Sequence, residues 1–351
     1  MTNHKCKVPF SQVEIHEDGN IYVCCPIKTK LSIGNIYKES FDKIWHSKKA
    51  KKLRQEILRG NYCFCDLKIC DPKDNIEQDK LDLIENFETE FEEKPSYPQY
   101  VKFCHDYHCN LKCVTCRDKF HTNSKEKTKE LNSKIEKIYL PILKNCKVVS
   151  LNGSGEALSS KHCRTLIKTI AKKYPNIKFD LHTNGLLCNK KNLEELGIID
   201  KIASIGISMH AKTKEIYDKI MLHGDFEKVL KNLNWLSSLK KEGKIKKLDL
   251  YFVVQKTNYK EMGAFLEFAK KLDADVYFWE YRNWGNIWGR KNYDKVAVFE
   301  KHHLEYNKFA KYLAKDIFKS KNCHFNNFLK QIKPIKFYEH IFYIVKHKIK
   351  K

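Results

Sequence analysis

The chain has 351 residues, which is enough for one large domain and a smaller one. Apolar residues make up 42% of it, and this excludes an intrinsically disordered chain. The first ten residues, MTNHKCKVPF, lack the apolar core of a secretory signal, and no apolar run is long enough to cross a bilayer. We therefore expect a cytoplasmic protein without a transmembrane segment. The net charge of +24 would attract anions, but we interpret most of it as solvated surface charge.

Residues 1–75 are predicted to form a small cysteine-bearing module. The segment VEIHEDGNIYVCC alternates apolar and polar residues around an Asp-Gly turn, which predicts a β-hairpin. A helix is expected between Ser40 and Gly60. The acidic residues 76–96 are then predicted to form a connecting helix. Their apolar side chains recur at helical spacing, at Leu81, Ile84, Phe87 and Phe91.

Short apolar strands alternate with amphipathic helices over residues 97–290. Six strands are predicted, with the sequences YVKF, KVVSLNG, IKFDLHTN, IASIGISM, KLDLYFVVQ and DVYFWE. Clear helices between them are SSKHCRTLIKTIAKKY and DFEKVLKNLNWLSSLKKE. This alternation predicts an α/β fold whose parallel sheet has right-handed crossovers and is either open or closed into a barrel. Six repeats are fewer than the eight of a complete barrel.

Residues 291–351 are predicted to form a helical, basic C-terminal extension. Its last part, 321–351, carries eight Lys against one Glu, with apolar residues interleaved. One interpretation is an interfacial basic helix. We favour a terminal helix that packs its apolar face on the barrel, because Pro334 interrupts the segment and basic tails are common.

The fourteen cysteines of the chain indicate metal ligands rather than disulfides, since no export signal is present. They are clustered, with five at positions 24 to 70 and four at positions 104 to 116, as ligands have to be. We interpret five of the fourteen as structural: Cys104, Cys146, Cys163, Cys188 and Cys323.

The segment CNLKCVTC places Cys109, Cys113 and Cys116 directly after the first predicted strand of the sheet. Parallel α/β folds carry their active sites at the carboxyl ends of such strands. Three thiolates can hold three corners of an iron–sulfur cube and leave its fourth iron open to a ligand. Zinc is the alternative, because His105 and His108 lie close by in the sequence.

These cysteines and the segments after them resemble the radical S-adenosylmethionine (SAM) superfamily. LNGSGEAL resembles its glycine-rich SAM motif, LHTNGLL resembles its TNG segment, and GISMHA resembles its Ser-bearing fourth strand, with His210 where Asp is usual. The resemblance implies a partial (β/α)6 TIM-like barrel with a small N-terminal iron–sulfur module. It implies that Cys109, Cys113 and Cys116 hold a [4Fe–4S] cluster whose open iron binds SAM.

The same resemblance implies residues that contact SAM. Glu156 is expected to accept a hydrogen bond from the SAM ammonium group. Gln255 and Asn258, at the end of the fifth strand, are expected to point at the same mouth of the barrel. The predicted cofactor-binding residues are Gly153, Gly155, Glu156, Asn184, Ser208 and Gln255.

The N-terminal module resembles the auxiliary iron–sulfur module called SPASM, or its shorter twitch form. The resemblance includes the G-x4-C turn, the GNIY…IW helix lead-in and the segment YCFCDLKICDP. It implies one auxiliary [4Fe–4S] cluster with Cys6, Cys24, Cys65 and Cys70 as ligands. Two neighbours, Cys25 and Cys63, could replace an assigned ligand. A small zinc-bound module without a redox role is the alternative.

The resemblance implies an enzyme that cleaves SAM reductively and abstracts hydrogen from its substrate. We expect an external one-electron reductant of the flavodoxin or ferredoxin type, and an auxiliary cluster that accepts an electron from the product radical. A small-molecule or sugar-type substrate is favoured, whereas its identity and the catalytic acid or base stay unknown. The alternatives are a maturase of ribosomally made peptides, an RNA-modifying enzyme, for which nucleic acid is the less favoured partner, and a non-enzymatic zinc-binding interaction protein.

Overall fold

The structure, a computed structural model, describes residues 5–72, 76–151, 154–282 and 293–349. Its strands are Gln12–His16 (β1), Asn20–Tyr22 (β2), Gly34–Asn35 (β3), Tyr100–Cys104 (β4), Val148–Leu151 (β5), Lys178–Thr183 (β6), Ile202–Ser208 (β7), Lys247–Val254 (β8), Asp275–Glu280 (β9) and Cys323–Phe325 (β10). Within the described ranges they form one sheet in the order β10-β9-β8-β7-β6-β5-β4-β1-β2-β3.

The helices lie between and beyond these strands. They are Val8–Ser11 (α1), Phe41–Trp45 (α2), Lys48–Leu58 (α3), Ile76–Asp79 (α4), Lys125–Ser133 (α5), Lys161–Lys173 (α6), Lys190–Glu195 (α7), Lys214–Ile220 (α8), Phe226–Lys241 (α9), Met262–Lys271 (α10), Tyr293–Val296 (α11), Tyr306–Leu313 (α12), Asn327–Lys330 (α13) and Phe337–Ile349 (α14). In the part of the chain that the structure covers, no helix is both long enough and apolar enough to cross a membrane.

The six predicted barrel strands are confirmed as β4 to β9, and each pairs in parallel with the next along the chain. The amphipathic helices between them cover the outer face, as Leu166 of α6 and Leu233 of α9 show by their complete burial. A sequentially ordered parallel sheet with a helix after most strands is the arrangement of an α/β barrel that is not closed. The expected partial barrel is therefore confirmed.

The predicted N-terminal hairpin is confirmed as β1 and β2, which pair antiparallel with Glu14 opposite Tyr22. The sequence did not predict that β1 also pairs in parallel with β4, which brings His16 opposite Cys104. The hairpin of the module and the barrel therefore share one continuous sheet.

The helix expected between Ser40 and Gly60 is broken into α2 and α3 at His46 and Ser47. The Ser47 hydroxyl accepts a hydrogen bond from Ala50 N at 3.2 Å and lies 3.1 Å from Ile33 O, to which it donates. A serine in this position caps the second helix, which begins a new axis direction.

The predicted connecting helix over residues 76–96 is wrong. The segment has the single turn α4 and a short 3₁₀ turn at Leu81–Leu83, and residues 84–96 have no regular secondary structure. Tertiary contacts take its side chains in different directions: Lys80 reaches into the barrel, whereas the Phe91 ring packs edge-to-face on Phe10 at 5.3 Å. A straight helix would present these side chains to one surface only, so long-range packing overrides the helical pattern.

The favoured interpretation of the C-terminal segment is wrong for its last helix, α14, although Phe325, Leu329 and Ile332 before that helix do pack on the core. The apolar residues of α14 face away from the barrel, since Phe337 and Ile349 are each 78% exposed. The buried residue of this helix is His340, whose Nε2 lies 2.9 Å from His303 O. The extension is not purely helical either, because β10 adds a parallel strand to β9.

Candidate iron–sulfur and SAM site

Two loops and two strand ends line one pocket at the carboxyl edge of the sheet. The structure brings together the three cysteines that follow β4, the glycine loop that follows β5, and the ends of β6 and β7. Seven of the predicted site residues line this pocket: Cys109, Cys113, Cys116, Gly155, Glu156, Asn184 and Ser208. Gly153 lies outside the described residues, and Gln255 is not among the described residues that line the pocket.

The glycine loop packs directly on the cysteine loop. A Cβ atom at Gly155 would lie 2.4 Å from His108 O and 2.5 Å from Asp106 O, distances at which real side chains do not occur. Glu156 N donates to His108 O at 2.7 Å, which ties the two loops together. The glycine is therefore needed for close backbone approach.

The carboxylate of Glu156 is buried and already hydrogen-bonded within the protein. It accepts from Thr183 Oγ1 at 2.8 Å, from Asn184 N at 2.7 Å and from Leu158 N at 3.2 Å. Burial raises the pKa of Glu156, and these donors oppose that rise. The side chain thus holds the end of β6 against the glycine loop, a positioning role that the sequence did not predict. One lone-pair position of the carboxylate is still open to a ligand ammonium group.

Ser208 reaches the pocket beside a histidine that the sequence analysis missed. The Ser208 hydroxyl lies 2.7 Å from Nε2 of His182, whose ring stacks on Tyr251 with centroids 4.2 Å apart. The Tyr251 ring crosses the intervening strand because Gly206 has no side chain, since a Cβ there would lie 2.6 Å from the ring. Burial lowers the pKa of His182 to about 3, so the ring is neutral near pH 7. Side chains alternate along a strand, so His182 lies on the same face of β6 as Asp180, two residues earlier. This alternation was the signal for His182 in the sequence.

The pocket wall at β8 consists of structural hydrogen bonds. His210 lines the pocket, and its Nδ1 accepts from Val253 N at 3.1 Å. Burial lowers the pKa of His210 to about 4, so it presents a neutral ring where related proteins usually have a carboxylate. The Asn258 amide donates to His210 O and Val253 O at 2.8 and 2.9 Å. The expectation that Gln255 and Asn258 point into the mouth is therefore not supported, because both side chains are buried outside the pocket lining.

Arg117 is a second residue that sequence analysis missed. Its guanidinium donates to Tyr107 O at 3.0 Å and to Ser154 O at 2.9 Å, and it lies 3.5 Å from Cys116 Sγ. Burial by itself would lower the pKa of Arg117, but the adjacent cysteines raise it. A fixed positive charge thus lies beside the predicted thiolate ligands. Its position directly after the last cysteine was the signal in the sequence.

The four predicted auxiliary ligands line a second cavity, inside the N-terminal module. Cys6, Cys24, Cys65 and Cys70 all contribute to its wall, together with Lys28. The two possible substitutes do not line it: Cys63 is exposed and Cys25 is half-buried. Burial raises the pKa of Cys6 to about 12 and that of Cys65 to about 11, so these thiols need a bound cation to ionise near pH 7.

The spacing of the sulfurs fits a cluster better than a single zinc ion. Tetrahedral zinc with bonds of ~2.3 Å places its sulfur ligands only ~3.8 Å apart. Among the described residues, the groups of three or more ligand atoms lying within 4.8 Å of one another include neither set of cysteines. Among the described residues, neither cysteine set is therefore arranged for a single zinc ion, whereas an iron–sulfur cube takes each thiolate on a separate iron.

Below the pocket, the interior of the barrel is polar rather than apolar. Lys80 Nζ lies 3.4 Å from Asp180 Oδ1 and 3.3 Å from Asp249 Oδ2, and Tyr100 donates to Asp180 at 2.5 Å. Burial alone would lower the pKa of Lys80, but the surrounding acidic groups hold it well above its ordinary value. The ion pairs close the amino-terminal end of the barrel.

Comparison with known families agrees with this geometry. Residues 105–269 match the family model of the radical SAM superfamily, and residues 6–71 match that of the SPASM iron–sulfur cluster-binding domain. The chain therefore contains a radical SAM domain preceded by a SPASM iron–sulfur cluster-binding domain, and these domains imply SAM, a [4Fe–4S] cluster and auxiliary iron–sulfur as cofactors. These matches support an enzyme over the alternative of a non-enzymatic zinc-binding protein.

The individual relatives are more distant. FeMo cofactor biosynthesis proteins NifB from Methanocaldococcus jannaschii and Methanocaldococcus infernus are each 30% identical to the chain over 125 residues. The match covers 32% of this chain and 40% of each relative, so it spans less than half the length of these curated proteins. A solved structure of anSMEcpe with bound AdoMet is 19% identical, with a TM-score of 0.41 over 64% of this chain and 60% of that one.

Proposed function

We propose that the protein cleaves SAM reductively and uses the resulting 5′-deoxyadenosyl radical to abstract a hydrogen atom from a small polar substrate. Cys109, Cys113 and Cys116 would hold the [4Fe–4S] cluster, which supplies the electron for cleavage when it is reduced by an external flavodoxin or ferredoxin. With SAM bound at the open iron, that electron would supply its cleavage to methionine and the 5′-deoxyadenosyl radical, which would leave as 5′-deoxyadenosine after taking hydrogen. The carrying observation is that Cys109, Cys113 and Cys116 meet four of the six predicted SAM contacts in one pocket at the carboxyl edge of the sheet.

The side chains around the pocket support distinct tasks. Asn184 and Ser208 offer hydrogen bonds to SAM, and Glu156 keeps one lone-pair position for its ammonium group. Gly155 holds the two ligand-binding loops at contact distance. Arg117 offsets the negative charge of the thiolates from a position where it is itself fixed by two carbonyl groups.

The polar barrel interior favours a small substrate. The ion pairs of Lys80 close the end of the barrel that is opposite the pocket, so a chain cannot thread through. The pocket wall offers the neutral imidazole of His182 as a hydrogen-bonding group, which suits a hydroxylated substrate. These features support a small-molecule or sugar-type substrate over a peptide or RNA.

The module cavity supports a role for the auxiliary cluster in oxidation of the product radical. Its four cysteines come from three separate segments of the module and converge on one buried space. A purely structural cluster would also fit this arrangement, so the proposal needs a test that separates redox function from folding.

The first test removes the SAM-cleaving site. Replacing Cys109, Cys113 and Cys116 together by Ala is expected to remove about half of the iron, corresponding to one of two cubes, and all SAM cleavage. Iron analysis and 5′-deoxyadenosine formation with dithionite measure both. SAM cleavage that persists in this variant contradicts the proposal.

The second test compares two neighbouring cysteines of the module. Cys65→Ala is expected to lose the auxiliary cluster, to keep SAM cleavage and to lower strongly the ratio of product to 5′-deoxyadenosine. Cys63→Ala is the matched control, since Cys63 is exposed and does not line the cavity. A ratio that stays normal in soluble Cys65→Ala protein, with its barrel cluster loaded, contradicts the electron-acceptor role. Substrate candidates are screened first by their acceleration of 5′-deoxyadenosine formation.

A further inference from the structure

A group of potential metal ligands lies in the C-terminal extension, away from both cysteine sets. Asp294 on α11, His302 in the following loop and His347 on α14 each place one ligand atom within 4.8 Å of the others. His302 Nε2 lies 3.2 Å from Asp294 Oδ1, and His347 Nε2 lies 3.1 Å from Asp294 Oδ2. We propose that these three residues bind a divalent transition-metal ion of the zinc type.

The separations of the ligand atoms are those that a shared metal ion imposes. Two ligand atoms at ~2.1 Å from a metal lie ~3.0 to 3.4 Å apart when the angle between their bonds is between a right angle and the tetrahedral angle. Both nitrogen–oxygen distances lie in that interval. The two imidazole rings are stacked, with centroids 3.7 Å apart, and both reach the same carboxylate. An imidazole lone pair lies in the plane of its ring, so binding of one ion by both Nε2 atoms requires one ring to turn out of this stack. Imidazole nitrogen and carboxylate oxygen are ligands that zinc takes in proteins.

The surroundings allow the ion to enter and leave a coordination position open. The side chains of His302, His347 and Asp294 are 17%, 31% and 32% exposed. Both histidines line a surface cleft whose wall includes Glu300, Tyr343 and Lys346. Three protein ligands with access to such a cleft leave room for water or a solute as the fourth ligand.

The proposed ion would join distant parts of the chain. Asp294 and His302 precede α12, whereas His347 belongs to the last helix, α14. A metal ion bound by all three would hold α14 on the body of the protein, a task that its outward-facing apolar residues do not perform. The site would thus stabilise the extension independently of either iron–sulfur cluster.

Zinc binding tests this site directly. Tag-free, cluster-loaded protein is freed of loose metal by a chelator column and dialysed against Zn²⁺, and zinc and iron are measured separately. We expect one zinc per chain, with affinity at least ~100-fold weaker in His302→Ala and in His347→Ala. Lys346→Ala is the control and should leave the affinity unchanged, because Lys346 lines the same cleft without offering a ligand. Asp294→Asn preserves side-chain size and is expected to weaken binding too, which covers the case in which a histidine variant misfolds. Equal zinc binding by all variants, or none by the unmodified protein, overturns the proposal.

The outward face of α14 carries a second, independent inference. Six of the twelve large apolar side chains exposed in the described residues belong to this helix: Phe337, Tyr338, Ile341, Phe342, Val345 and Ile349. At 100° per residue they occupy an arc of about 140° on one side. His340 and His347 point from the other side towards the body of the protein. The apolar side of this helix therefore faces the solvent and its polar side faces the protein, the opposite of an ordinary surface helix.

We infer that this apolar face lies in the surface of an anionic lipid bilayer. Residues 330–349 contain one acidic residue, Glu339, and five lysines: Lys330, Lys333, Lys336, Lys346 and Lys348. An apolar helical face in a segment this rich in lysine has the composition of interfacial helices. A second copy of the chain is a less suitable cover, because it would bring two lysine-rich segments together in molecules of net charge +24 each.

Vesicle sedimentation tests this surface. We expect binding to vesicles of phosphatidylglycerol and phosphatidylcholine, weakened by added salt, and much less binding to pure phosphatidylcholine. Phe337→Ser combined with Phe342→Ser is expected to lower binding at least ~10-fold, whereas Leu67→Ser, an exposed apolar residue of the module, leaves it unchanged. Absence of vesicle binding overturns the inference. A concentration-dependent dimer that the double variant abolishes, without vesicle binding, identifies a second copy as the cover and overturns it as well.

Discussion

Lys80 is the residue whose replacement tests the account of the barrel interior most sharply. Its ammonium group lies between Asp180 and Asp249, which are 2% and 0% exposed. Lys80→Met keeps the apolar stem but leaves two buried carboxylates without their shared cation. Removal of one partner from a buried ion pair costs about 3–5 kcal/mol of folding stability.

The two carboxylates do not contribute equally to that loss. Asp180 keeps hydrogen bonds from Tyr100, Ser150 and Ser204. Asp249 Oδ1 has no hydrogen-bond partner among the described residues and keeps only a long ion pair, 3.9 Å from Lys247 Nζ. Burial already raises the pKa of Asp249, with Lys80 opposing the rise. In the variant, Asp249 therefore carries most of the free-energy cost of burying an ionised carboxylate, and protonation of Asp249 should lower that cost.

Anaerobic urea unfolding of cluster-loaded protein measures the effect. We expect Lys80→Met to lose about 3–5 kcal/mol at pH 7.5 and the double variant with Asp249→Asn to recover about half of that loss. The loss should shrink as the pH falls, because the raised pKa of a carboxyl group destabilises the folded state only where that group is ionised. Lys190→Met, at a side chain that is 68% exposed, is the control and should change stability by less than about 0.5 kcal/mol. A loss below about 1 kcal/mol, or a double variant no more stable than the single one, refutes this reasoning.

Three further predictions concern the pocket. Gly155→Ala should weaken SAM binding at least ~10-fold by calorimetry, because its Cβ would meet His108 O and force the two loops apart; unchanged affinity would show that the loops separate freely. Arg117→Met should shift the reduction potential of the neighbouring cluster to more negative values in a redox titration, because a positive charge beside Cys116 favours the reduced form. Arg117→Lys should reverse part of this shift, and equal potentials in all three proteins would contradict the charge effect. Between pH 7.5 and 5.5 the unfolded His182, with a pKa of ~6.5, takes up a proton, whereas the folded one, with a pKa of about 3, does not. His182→Gln should therefore reduce the loss of stability over this interval by about 1.4 kcal/mol. An unchanged pH dependence would argue that this ring is already solvated.

The sequence by itself determined the features that are encoded over a few neighbouring residues. Alternation of short apolar segments with amphipathic ones is local, so it predicted β4 to β9 and the N-terminal hairpin correctly. The spacing of Cys109, Cys113 and Cys116 is local as well, and one loop after one strand keeps them together whatever the rest of the chain does. The class of enzyme was implied by the resemblance of these cysteines, together with LNGSGEAL, LHTNGLL and GISMHA, to a known superfamily.

The tertiary structure alone decided everything that depends on contacts between distant segments. Helical spacing suggested a continuous helix over 76–96, but the buried carboxylates of two barrel strands attract Lys80 and break the pattern. The same helical spacing could not tell which way α14 faces, because an amphipathic helix is equally regular whether its apolar side meets the core or the solvent. Asp294, His302 and His347 are separated by up to 53 residues, and no sequence spacing signals a group that only chain folding brings within 4.8 Å.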